Sequence, residues 1–285
     1  MPLASELVQA CTTVSTLSEV YCRVRDVVDD PNATMGDRVK ALQLDPAIAA
    51  RLLRMANNSP YGPSRQVDTV TGAVQLLGKQ VINEFVATTT VGQTFAGIPV
   101  DLMDQSKFWR KSLFCALLAR AIAKSCGVDD REQPYMAGLL RDIGHYVLYQ
   151  TVPQRAQSAL IEAGYLEASL AEVEQSNIGC DFAEVGAELI RSWGLPVEIE
   201  QAVRCQLSPK DAGEFILQAS IVHIAGAVVD YDELDSSRRP ASVAFSPQAI
   251  TATRFVPANL PALLTEARAQ LQETLANVQP YTMAA

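Results

Sequence analysis

Residues 138–147, GLLRDIGHYV, set Arg141, Asp142 and His145 inside a run that is otherwise apolar. An acid that accepts hydrogen bonds, a fixed guanidinium cation that donates them and an imidazole that can do either would suit a small polar pocket. If one helix carries all three, Asp142 and His145 stand at i and i+3, and Arg141 and His145 one turn apart, so they share a neighbourhood. That pocket could hold a ligand. It could equally be an internal ion pair capping nearby backbone, the simpler role, because structural networks perturb ionisable side chains as active sites do.

Little else in the chain offers chemistry. The only other histidine, His223 in SIVHIAGAVV, has apolar neighbours and belongs in the core with its ring nitrogens satisfied, so a histidine-rich metal site is excluded. Six cysteines occur (Cys11, Cys22, Cys115, Cys126, Cys180, Cys205), none at C-x-x-C spacing, and they read as reduced, small, mostly buried apolar residues. No G-x-S-x-G elbow and no glycine-rich phosphate loop is present. The expectation is no metal, no cofactor and no enzymatic activity.

The elements that must position these residues read as helices throughout. The 285 residues are 48% apolar, 19% charged and 6% aromatic, with many alanines and leucines, as in closely packed helices. Residues 45–57 have Asp45 as N-cap, Pro46 at the first helical position and Ile48, Leu52 and Met55 on one face. Helices are expected over 71–77 and 79–90, separated by Gly78, and over 107–125, with Trp109, Leu113, Leu117 and Ala121 in one stripe. Pro134 opens the helix that carries the polar residues; Asp181 and Glu184 form a reciprocal cap on the next, which ends at Gly194 and Pro196. Residues 214–229 read as a buried helix, 230–258 as a surface connection, and about 262–276 as a last amphipathic helix. No segment alternates like a strand, so the fold is expected to be all-α, a helical bundle.

The net charge of −9 and pI near 4.8 argue against nucleic acid and anionic membranes as partners. No apolar run is read as reaching the roughly 18 residues of a membrane span, and MPLASELVQA lacks the order of a signal peptide, so a cytoplasmic location is expected. Residues 70–91 have the outline of a helix-turn-helix, but the second helix offers only Lys79 as a cation and carries Val81, Ile82, Phe85 and Val86, which suits core packing better.

Five segments in a fixed order carry a family resemblance: LLRMANNSPYG (52–62), TVTGAVQLLGKQVINEFV (69–86), FWRKSLFCALLARAIA (108–123), AGLLRDIGHYVLYQ (137–150) and DFAEVGAELIRSWGLPVEIEQAV (181–203). Together, over about residues 15–210, the chain resembles the HDOD domain, a bacterial signalling module related to the HD phosphohydrolases. The resemblance implies an N-terminal helical subdomain over 1–105, an HD-like helical subdomain over 106–229, and a linker with a C-terminal helical extension over 230–285. HD hydrolases hold metal through histidines and aspartates on several helices. Here the first such histidine corresponds to Lys111, that of the histidine-aspartate doublet to Arg141, a third to Phe182, a later pair to Cys205 and Gln206, and the closing aspartate to Gly226. Asp142 alone survives, and His145 stands where a substrate-binding lysine would be. One carboxylate flanked by cations cannot supply a metal centre. The implied function is a noncatalytic regulatory or scaffolding part of signal transduction that binds another signalling protein, of a cyclic di-GMP or two-component pathway, or a second copy of itself. Lys111, Arg141, Asp142 and His145 would be its vestigial pocket. The alternative is a nucleotide- or phosphate-binding protein, or a residual phosphohydrolase, with Lys111, Arg141 and His145 around an anion.

Overall fold

A computed structural model describes residues 2–11, 18–57, 66–88, 98, 102–166, 168–233 and 242–278, and among them no strand occurs. The N-terminal helices are α1 (Ala4–Ala10), α2 (Ser18–Asp29), α3 (Met35–Leu42), α4 (Pro46–Asn57) and α5 (Val70–Thr88). The middle of the chain forms α6 (Gln105–Ser125), α7 (Glu132–Leu140), α8 (Ile143–Thr151), α9 (Pro153–Leu166) and α10 (Leu170–Asn177). Then come α11 (Phe182–Ser192), α12 (Val197–Arg204), a 3₁₀ turn over Pro209–Phe215, α13 (Ile216–Glu233), α14 (Pro247–Thr253), and α15 (Leu260–Val278). The fold is all-α, as the periodicity requires.

Helix α6 is the axis of the molecule. Its expected stripe, Trp109, Leu113, Leu117 and Ala121, is buried, and so are Phe114, Cys115, Ala116, Leu118, Ala119 and Ile122 on other faces, because α7, α13 and α15 all pack on it. Asp104 caps its start, accepting from the Lys107 amide at 3.0 Å, and the Trp109 indole donates to the Leu44 carbonyl at 2.7 Å. The anticipated caps recur elsewhere: Asp45 accepts from the Ile48 amide at 2.9 Å, and Asp181 and Glu184 form their reciprocal pair at 2.9 and 3.4 Å. One continuous apolar core runs from Leu7 on α1 to Ala267 on α15. Gly78, at φ 76° and ψ 166°, interrupts α5 where a break was expected, and Ile82 and Val86 beyond it are buried in that core. Residues 89–91 and the turn at 58–65 lie outside the described residues.

The structure departs from the sequence reading in three places. The single helix expected through Arg141 and His145 is two, with Arg141 closing α7 and Asp142 opening α8. The two halves pack in different directions. Gly138 lets α7 lie so near α6 that a Cβ there would come within 3.0 Å of Ala116 and Ala119, whereas Gly144 seats α8 on Gly186 and the Phe182 carbonyl of α11. The surface connection expected at 230–258 is partly helical and partly buried: α13 continues to Glu233, and Ala249, Thr253 and Phe255 are covered. A seven-residue helix such as α14 is too short to show periodicity. Residues 209–233 are, against expectation, long and apolar enough to cross a membrane by composition, and in this fold α13 spends that apolarity on packing, with Ala219, Ile221, Val222, Ile224, Ala225, Val228 and Val229 buried. The last helix covers α6, as its amphipathic pattern requires: Arg120 donates to Gln270 at 3.0 Å, and Leu263, Leu264, Leu271 and Leu275 pack on the core.

A Cβ on Gly144 would overlap the Phe182 carbonyl oxygen and lie 2.7 Å from the Gly186 nitrogen, so Gly144→Ala must force α8 and α11 apart. Urea unfolding should show a loss of about 3 kcal/mol. At Gly164, exposed within α9 and with nothing nearby to meet a Cβ, the same substitution should stabilise by about 0.5–1 kcal/mol.

Candidate functional site

Lys111, Arg141 and Asp142 meet as the sequence suggests, and the reason is the break between α7 and α8. Because the helix stops there, the Asp142 side chain caps no helix and points at α6, where its Oδ2 lies 3.0 Å from Lys111 Nζ. Arg141 Nη1 lies 3.2 Å from Asp142 Oδ1. The fourth member is Asp230 on α13, which Arg141 grips with both terminal nitrogens, Nη1 to Oδ1 at 3.1 Å and Nη2 to Oδ2 at 2.5 Å. Lys111 Nζ reaches the same Oδ1 at 3.0 Å. Two cations and two carboxylates thus form a closed set with no net charge. A bidentate guanidinium–carboxylate pair is among the stronger charged contacts.

Arg141 is held from behind as well. Its Nε donates to Gln206 Oε1 at 2.7 Å, and the Gln206 amide returns bonds to the carbonyls of Arg141 and Val203 at 2.9 and 3.0 Å. The guanidinium passes over α13 at Gly226, where a Cβ would overlap Nε and lie 2.8 Å from Cζ. Gly226 therefore serves as the space through which Arg141 reaches Asp230. The carboxylate that this helix supplies is Asp230, one turn beyond Gly226 on the same face. Asp230 escaped the sequence reading because it was assigned to the surface connection. The usable signal was its spacing, two turns after His223 and one after Gly226.

His145 does not join the cluster as a donor to Asp142. Its Nδ1 lies 3.1 Å from Oε1 of Glu174 on α10, without the alignment of a hydrogen bond, and its ring stacks on Phe182 at 4.2 Å and Tyr149 at 5.5 Å. Glu174 is fully buried, at 0% exposure, and its Oε2 accepts from the Phe182 amide at 2.9 Å, at the start of α11. Sequence reasoning missed Glu174, although it shares a helical face with buried Ala171 and Ile178.

Electrostatics follow from this arrangement. Burial alone would raise the Asp142 carboxyl, but Arg141 and Lys111 outweigh it and hold Asp142 well below the usual carboxylate range. Asp230 is lowered in the same way, and the two acids in turn push Lys111 and Arg141 upward against the effect of burial. All four groups are charged at neutral pH. Burial pushes the Cys115 thiol up to about 12 and the Cys180 thiol up to about 11, which leaves neither as a thiolate nucleophile.

A divalent metal does not fit these residues. Asp142 and Asp230 both spend oxygens on the two cations, and among the described residues no group of three or more His, Cys, Asp or Glu could hold an ion. An ammonium and a guanidinium add their own repulsion. The site as folded is a structural charge network.

His223 sits behind the network with both nitrogens engaged: Nδ1 lies 2.7 Å from the Gln206 carbonyl, and Nε2 accepts from the Ser246 amide at 3.1 Å. The ring is therefore neutral with its proton on Nδ1. Burial, and then the Arg141 charge, lower its pKa from 6.5 against the opposing Gln206 bond. A folded pKa below the unfolded value means stability present above pH 6.5 and lost as pH falls beneath it. Thermal unfolding across that window should show this slope, and His223→Gln should flatten it. For the network itself, Asp142→Asn should cost about 3–5 kcal/mol in urea unfolding, since it strips one acid from two enclosed cations.

The comparisons with known proteins agree with the all-helical fold. No curated protein sequence matches the chain. Among solved structures, the MmoQ response regulator of Methylococcus capsulatus str. Bath is 22% identical with a TM-score of 0.67, over 89% of this chain and 98% of that one. A virulence factor (cj0248) of Campylobacter jejuni subsp. jejuni is 22% identical with a TM-score of 0.65, over 97% of this chain and 95% of the other. At these identities the likeness is one of fold. The HDOD domain model matches residues 14–209, more than half of the sequence, and this chain belongs to the HDOD domain family.

Proposed function

We propose that this protein is a noncatalytic regulatory module of bacterial signal transduction, acting through contact with another protein. The observation that carries the reading is the closed set of Lys111, Arg141, Asp142 and Asp230, in which two acids are consumed by two cations. What such a site offers is a fixed shape. Support also comes from the family itself and from a fold shared with a protein described as a response regulator. A partner in a two-component or cyclic di-GMP pathway, in the cytoplasm, completes the proposal, with residues 1–105, 106–229 and 230–285 as its three parts. While Asp230 holds its place, the nucleotide- or phosphate-binding alternative has less support, because Lys111 and Arg141 then have carboxylate partners and His145 faces Glu174.

The test is chemical. Purified chain supplied with manganese, iron or magnesium should turn over no phosphomono- or phosphodiester and should retain no stoichiometric metal by mass spectrometry. Turnover that disappears in Asp142→Ala would overturn the reading. In the same preparation, cyclic dinucleotides should give no saturable shift in melting temperature.

A further inference from the structure

We propose that Lys111 and Arg141 form an oxyanion-binding site that the Asp230 carboxylate occupies from within the chain. The inference rests on the noncatalytic reading of the cluster and concerns what could exchange with it. Three donors converge on this one group: Arg141 Nη1 and Nη2 at 3.1 and 2.5 Å and Lys111 Nζ at 3.0 Å. A planar fork plus an ammonium is the donor pattern that recognises carboxylate and phosphate oxygens.

The four members are not equally fixed. The Asp230 side chain is 46% exposed, while those of Arg141, Asp142 and Lys111 are 6%, 4% and 23% exposed. Asp230 can turn into solvent about its own side-chain torsions. Arg141 cannot follow, because Gln206 binds its Nε at 2.7 Å and the guanidinium lies in the space left by Gly226. The donors therefore keep their positions when the acid leaves. Removing Asp230 changes the local sum from zero to one positive charge, two cations against Asp142, so a singly charged oxyanion restores neutrality. Asp230 acts as a tethered competitor whose effective concentration sets the threshold for an outside ligand. The chemistry recognised is a small oxyanion, a phosphate or a carboxylate.

Titration calorimetry of the full chain and of Asp230→Ala with inorganic phosphate, and separately with acetate, tests this. Asp230→Ala should bind one of the two at a single site at least about tenfold more tightly than the parent. Adding Lys111→Met should abolish the gain, with folding checked by circular dichroism. Asp230→Asn, which keeps the side-chain shape, serves if the alanine variant unfolds. A preference for phosphate assigns a phosphorylated ligand, and a preference for acetate assigns a carboxylate. Equal affinity in the parent and the folded variants, or a gain that survives Lys111→Met, overturns the proposal. Phosphoester turnover by the parent would instead defeat the noncatalytic reading, so the two failures are told apart.

Discussion

The guanidinium of Arg141 is the constraint around which the middle of this molecule is arranged. A cation with 5% exposure is tolerated only if its charge and its nitrogens are answered, and here each nitrogen donates at least once, to Asp142, Asp230 or Gln206. Each answer ties a different element to the end of α7: Asp142 opens α8, Gln206 follows α12 and Asp230 belongs to α13. Lys111 joins from α6. Taking Arg141 and Asp142 out of water is costly, and the opposite charges around them offset that cost only while the geometry holds. Orientation of four helices is thereby coupled to one side chain.

Close approach of backbone is the second ingredient. Glycines stand at the three contacts that matter: Gly138 on α6, Gly144 on α11 and Gly226 beneath Arg141. Each removes a side chain where a helix or a guanidinium has to come nearer than a methyl group permits. The first two allow α7 and α8 to pack on different neighbours, which is why the chain turns between Leu140 and Ile143. That turn, in place of a continuous helix, aims Asp142 inward.

Most of the architecture was legible because helix periodicity, caps and stops are local properties. The Asp181–Glu184 cap, the Asp45–Pro46 start and the Trp109 stripe are found where the residues put them. Three of the four members of the charge cluster were legible too, since Lys111, Arg141 and Asp142 do meet. His145 was misassigned because its partner, Glu174, is a long-range contact from another helix, and burial of a carboxylate cannot be read from local pattern. Asp230 was overlooked for a related reason: the polar residues after it made the end of α13 look like a loop. The break at Arg141 was hidden because what ends α7 is its packing against α6, with no proline to mark the stop.

The family match stops at residue 209, yet the network does not. Asp230, Gly226 and His223 all lie on α13, beyond that limit, and His223 links the Gln206 carbonyl to the Ser246 amide. A fragment cut at the edge of the family model would expose the α13-facing side of α6 and leave Arg141 and Lys111 with a single acid between them. For this chain the boundary drawn by sequence similarity falls inside a cooperative unit, and the extension after it is part of what lets the recognisable portion exist.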